Sequence, residues 1–229
     1  MMCPHVYVMC NEEKEPIRYE ILKKHLPSRG IPLEKIHWVK GPWGSDLTSE
    51  QVFSVWDPFR HRFGLKESLS IQAPALSRGE ISLMLTFREA LRQILEAGHE
   101  RVIIFESDII LREDFMSRLE VILKDGQPWD YISLGEGVGT RPQNCNESYF
   151  SEQLLYKPPH QWVFRCCDSM LFRRSFLEKV WQTFIPFREC LDWEMNIQMM
   201  LHKGIALWAD PPLAEPGTAR GRFHSSLPA

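Results

Sequence analysis

Several things are missing from this 229-residue chain. No apolar run approaches the roughly 18 residues that a membrane-spanning helix needs. There is no basic excess: 27 Lys and Arg stand against 30 Asp and Glu, a net charge of −3, which argues against a nucleic-acid binder. The opening "MMCPHVYVMC" is too short and too poor in basic residues for a signal peptide, and it reads as a first strand. A cytoplasmic protein without a transmembrane segment is the expectation. Without a leader, the glycosylation sequon at Asn146 carries no weight. Six cysteines (Cys3, Cys10, Cys145, Cys166, Cys167 and Cys190) include no C-x-x-C pair and are read as reduced, mostly buried thiols. No phosphate-binding Walker loop, H-E-x-x-H or G-x-S-x-G motif occurs. "GEGVG" (135–139) follows a strand, but "TRPQNC" after it offers no helix N-terminus to receive a pyrophosphate.

What is present is ordinary globular composition, 44% hydrophobic and 25% charged, long enough for one substantial core. The chain opens β-α-β. Strand 5–9 is followed by a helix over 16–26, with Ile17, Ile21 and Leu22 on one helical face, and then by strand 36–40. Residues 42–76 read as loops with short helical pieces. The best-signalled element is a helix bounded by Ser77 and Gly98. Ser77 and Glu80 form a capping box, and Ile81, Met84, Leu85, Leu91, Ile94 and Leu95 recur at helical spacing. A continuous apolar strand, 101–106, comes next, then a helix near 113–123, a turn at Asp125-Gly126 and strand 131–135. A polar stretch over 136–160 reads as a long functional loop. Strand 169–174, helices 175–183 and 192–202, and strand 205–209 complete the pattern, with a loop-like tail. No repeat or boundary divides it. The pattern predicts a single α/β domain, with a mostly parallel Rossmann-like sheet flanked by helices.

Strand 101–106 ends in "FESD". In open α/β sheets ligands bind beyond the C-terminal ends of the strands. The spacing of two sets Glu106 and Asp108 on one side, and paired carboxylates repel unless a cation stands between them. Oxygen donors suit Mg²⁺ or Mn²⁺, which can bridge nucleotide phosphates. The plainer alternative is a strand meeting solvent, with Asp108 capping a turn.

"SRGEISLMLTFREALRQILEAGHERVIIFESDIILREDF" (77–115) resembles the family 25 glycosyltransferases, the lipopolysaccharide and collagen sugar transferases. Gly79 and Glu80 match that family's G-E, and "FESD" stands where it carries E-D-D or a D-x-D variant. Thr86 and Phe87 replace its usual Ser-His. "WDYISLG" (129–135) and the closing "LDWEMNIQMMLHKGIALWADPPLAEPGTARGRFHSS" resemble its later segments. The resemblance implies a GT-A fold over residues 1–229, with 1–135 mainly binding a nucleotide-sugar and 136–229 forming the acceptor side and closing tail.

It further implies a metal-dependent, inverting glycosyltransferase that moves a sugar from a donor such as a UDP-sugar to a hydroxyl on a glycan or similar acceptor. In that scheme Asp108 is the primary metal ligand. Glu106 contacts donor ribose or sugar, or the metal through water, and Ser107 lies between them. His224 is a further metal ligand, and Arg220, Arg222 and Ser225 beside it suit phosphate oxygens. Asn11, Arg18 and Arg78 meet the nucleotide. Asp192 matches the family's position for the base, with Glu194 its rival at the same helix N-terminus, where the dipole favours ionised carboxylates. Trp193 between them suits stacking on a sugar. Two alternatives stay open: a catalytically inactive nucleotide- or glycan-binding module, and a metal-dependent nucleotidyltransferase.

Overall fold

Residues 102–105 are fully buried, which is what an apolar run without alternation requires of a strand covered on both faces. The computed structural model describes residues 3–60, 75–135, 155–158, 160–164, 166–218 and 221–224. In it this strand, β3 (Arg101–Glu106), lies third in a seven-stranded sheet of order β2-β1-β3-β7-β5-β8-β6. The others are β1 (His5–Met9), β2 (Ile36–Val39), β5 (Tyr131–Ser133), β6 (Leu155–Tyr156), β7 (Ser169–Arg173) and β8 (Ala206–Ala209). Strands β2, β1, β3, β5 and β8 run one way, and β7 and β6 run against them. The sheet is therefore mixed but mostly parallel, and helices cover both faces. Strand β7 enters between β3 and β5, so both halves of the chain build one sheet.

Alternation along the strands sorts the core into two layers. Tyr7, Met9, Val102 and Ile104 face α3 (Arg78–Ala97), α5 (Arg174–Thr183) and α6 (Leu191–Leu201). Val6, Val8, Ile103 and Phe105 face α1 (Pro16–Ser28) and α4 (Phe115–Lys124). Each such side chain taken fully from water contributes about 1.5–3 kcal/mol. Among the described residues no helix is long and apolar enough to cross a membrane.

Helix α3 follows its signals closely. Ser77 and Glu80 form both bonds of the capping box, and Gly98 ends the helix in the left-handed region at φ 67°. Helix α1 corrects the reading of its face. Leu22 and Leu26 are buried, while Ile17 and Ile21 are exposed, because the half-buried Tyr19 with Leu22 and Leu26 makes the inward stripe. A short helix, α2 (Ser49–Val55), is one of the short helical pieces expected within 42–76. The tail is more ordered than expected: β9 (Ala214–Pro216) pairs antiparallel with β4 (Ile109–Leu111). The stretch read as a long loop includes β6, which pairs with β8; its residues 136–154 lie outside the described residues.

Candidate functional site

A cavity of about 410 Å³ opens at the C-terminal ends of β1, β2 and β3. One wall is the chain leaving β1, from Met9 to Asn11, with Glu15 and Arg18 of the following helix. The second is residues 41–45 after β2, and the third is the first turns of α3 from Arg78 to Thr86. Glu106 and Ser107 close the floor. Two glycines allow the second wall to dock on the third. A Cβ on Gly41 would sit 1.9 Å from Thr86 Oγ1, and one on Gly44 would sit 2.8 Å from the Arg78 carbonyl. Ser82 Oγ fixes the same approach by donating to the Pro42 carbonyl at 2.6 Å. Thr86, which stands where the resembling family has Ser, therefore helps build a cavity wall, while Phe87 is fully buried in the core.

After Glu106 the chain does not continue as a strand. Residues 107 and 108 make a tight turn into β4, so strand alternation does not govern how the two carboxylates point. Glu106 and Ser107 line the cavity. Asp108 is buried and faces the tail: its carbonyl accepts from Gly217 N at 2.7 Å, and its Oδ2 accepts from Thr218 N at 3.1 Å and from the Thr218 hydroxyl. A third carboxylate joins from β7. Because β7 is antiparallel to β3, the residue before its first position lies beside the last of β3, and Glu106 N donates to the Asp168 carbonyl at 3.0 Å. The Asp168 carboxylate packs on the bare Cα of Gly135, where a Cβ would lie 2.4 Å from either oxygen. Asp192, in the first turn of α6, is the fourth. Burial first, then the charges of Asp108, Asp168 and Asp192, push the Glu106 carboxyl up to about 8 against the opposing pull of Arg18. The carboxylates offer oxygen donors of the kind a hard divalent cation takes, but no three of them converge within 4.8 Å among the described residues.

The expected cationic partners divide. Arg18 reaches the site: its guanidinium donates to Glu15 Oε1 at 3.0 Å, to Ser107 Oγ at 2.7 Å and to the His224 carbonyl. Ser107 Oγ in turn donates to Glu15 Oε1 at 2.8 Å, so Ser107 braces the Arg18–Glu15 pair. Asn11 lines the cavity with its Oδ1 accepting from the Glu13 and Lys14 amides, a turn-fixing role. Arg78 lines it as well and donates to the Leu47 carbonyl.

Two tail residues and one acid stand away from the cavity lining. Arg222 is exposed and absent from the cavity lining; its charge acts on His25, beside β4. His224 is exposed and meets Arg18 through its backbone carbonyl, and its imidazole joins no group of convergent ligand atoms among the described residues. Arg220 and Ser225 lie outside the described residues. Glu194 is completely buried. Its Oε2 accepts from Arg188 N at 3.1 Å and its Oε1 from Gln198 Nε2 at 3.0 Å, so it anchors the chain entering α6 instead of facing the cavity. Asp192 is the acid of that pair whose charge is felt at Glu106; its Oδ1 accepts from Trp193 N at 2.9 Å and from the Cys190 thiol at 3.0 Å. The exposed Trp193 meets Trp162 edge to face, with centroids 5.2 Å apart.

Asp168 and Glu15 escaped the sequence reading. An antiparallel strand inserted in a parallel pattern is the signal that finds Asp168. Glu15, three residues before Arg18, was open to view as an ion-pair partner. No protein-family profile and no curated protein matches this chain.

Proposed function

We propose that this protein is a GT-A-type glycosyltransferase that moves a sugar from a nucleotide-diphosphate sugar, a UDP-sugar first among them, to an acceptor hydroxyl with Mn²⁺ or Mg²⁺. The observation that carries the reading is adjacency: a cavity of about 410 Å³ is closed by Glu106 and Ser107, and the charges of Asp108, Asp168 and Asp192 are felt at Glu106. Its volume lies in the range of small-molecule sites. The largely apolar walls (Met9, Pro42, Trp43, Leu83) suit a base and ribose, and the acidic floor suits the place where a cation meets a diphosphate. The mostly parallel sheet and the resemblance of residues 77–115 support the fold class.

Asp108 and Glu106 would hold the ion. An ion there would be held by one or two carboxylates and completed by phosphate oxygens of the donor. Bound there, a metal would supply Lewis-acid stabilisation to the departing diphosphate. Arg18, braced by Glu15 and Ser107, adds a fixed positive charge at the cavity edge. Asp192 accepts the proton of the acceptor hydroxyl, and Trp193 with Trp162 offers a stacking surface for the acceptor's sugar ring.

The test is nucleoside diphosphate release from a panel of nucleotide-sugars with Mn²⁺ and simple glycan acceptors, repeated with Asp108→Ala. Release by the wild type, at least about 10³-fold slower in the mutant, is expected from the several kcal/mol that such a metal supplies. Donor binding without turnover across the panel, or pyrophosphate release from a nucleoside triphosphate, would overturn the reading.

A further inference from the structure

At the other end of the sheet three histidines from distant parts of the chain meet. His5 opens β1, His37 lies in β2 opposite Tyr7, and His99 follows the Gly98 cap of α3. Among the described residues they are the one group of three potential ligand side chains whose donor atoms all lie within 4.8 Å of one another. His5 Nδ1 is 2.8 Å from His37 Nε2, and the His5 and His99 rings stack with centroids 3.4 Å apart. Burial first, and then neighbouring positive charge, lowers all three below the ordinary histidine range.

We propose that His5, His37 and His99 form a binding site for a borderline divalent transition-metal ion, Zn²⁺ being the best match, separate from the carboxylate end of the sheet. Imidazole nitrogens select this class over Mg²⁺ or Mn²⁺, and three protein nitrogens with one open position is an established zinc arrangement. Nitrogens on one tetrahedral zinc lie about 3.3 Å apart, so the His5–His37 contact has only to open by roughly half an ångström. The ion takes the place of the proton now shared between these two rings, and the stacked His5 and His99 rings tilt to aim at a common centre. Tyr7 provides the outer support. Its hydroxyl, on a buried and therefore fixed ring, stands 2.8 Å from His99 Nδ1, where it can accept a hydrogen bond from that N–H and leave Nε2 to ligate.

Lys35 is the competing cation. Its ammonium lies 3.0 Å from His5 Nε2, donating to that nitrogen and holding the ring's proton on Nδ1. For the metal to enter at Nδ1, the His5 proton must move to Nε2 and the Lys35 side chain must swing away. The site thus joins β1, β2 and the turn before β3, and Lys35 sets how easily it fills.

The experiment uses the full chain, free of any histidine tag and stripped with a chelator, titrated with Co²⁺ as a spectroscopic probe and then with Zn²⁺ in competition. One equivalent of Co²⁺ giving tetrahedral visible absorption and displaced by Zn²⁺ is expected. Affinity should be unchanged by Asp108→Ala, weaker by at least 100-fold in His37→Ala and in His99→Gln, and tighter by about tenfold in Lys35→Met. Zinc should also raise Tm by several degrees in the wild type and not in His37→Ala. Binding that saturates only in the millimolar range, or that the histidine variants leave unchanged, overturns the proposal. So does a Lys35→Met protein that folds and binds no more tightly, even if the histidine variants fail to fold.

Discussion

At their C-terminal ends β1 and β3 deliver Asn11, Glu106 and the turn to Asp108; at their N-terminal ends the same two strands begin beside His5 and His99. One end gathers oxygen donors around a cavity, and the other gathers nitrogen donors around a ring stack. Crowding acts on both in the same way. Burial first, then the charges of Asp108, Asp168 and Asp192, push Glu106 up to about 8, and burial first, then His99, Lys35 and His37, draws His5 down to about 4. At Glu106 and at His5 the neutral form is thereby favoured. The consequences for ligands differ: a neutral imidazole is already the ligating form, whereas a carboxyl must lose its proton first. On the two proposals, oxygen donors at one end and nitrogen donors at the other would take hard and borderline cations respectively.

The comparison breaks first if chemistry is not confined to the carboxylate end. Asp192→Asn should lower turnover by about 10²–10⁴-fold, the span of a general base, while donor affinity and Co²⁺ uptake by the histidines stay as in the wild type. Steady-state kinetics with direct donor binding reads both, and normal transfer by this variant would remove Asp192 from its role. A smaller effect is expected from Gly41→Val. Its side chain would enter the space held by Thr86 and push the 41–45 wall from α3; overpacking costs about 1–3 kcal/mol, so donor KM should rise roughly tenfold. The smallest effect on activity is expected at Glu194. Glu194→Ala removes the acceptor for Arg188 N and Gln198, costs about 2 kcal/mol and lowers Tm by roughly 4–8 °C, with turnover near wild type at low temperature. A large kcat loss with unchanged Tm would return Glu194 to the catalytic candidates.

Legibility in the sequence followed how local the determining physics is. Helix α3 could be bounded from Ser77, Glu80 and Gly98 because capping chemistry is contained within a few residues. Strand β3 could be read because double-sided burial leaves an unbroken apolar run. Three-residue strands such as β4 and β9 carry no period to detect, and only their pairing with each other, Ile109 opposite Pro216, reveals them. Asp168 was hidden by strand direction, since only β7 running backwards brings its preceding residue to the site. Glu194 misled because its place on the helix was correct while its rotation was not: α6 turns it inward and leaves Trp193 outward. The histidines were invisible because register, not spacing, sets His37 opposite Tyr7 and beside His5.

The central claim, a cation shared between these carboxylates and a nucleoside diphosphate, is tested most directly by calorimetric titration of UDP into the wild type and Asp108→Ala, with and without Mn²⁺. The account expects Mn²⁺ to tighten UDP binding by at least tenfold in the wild type, with that gain lost in Asp108→Ala and retained in His37→Ala. A UDP affinity indifferent to Mn²⁺, or a gain that survives Asp108→Ala intact, would contradict it.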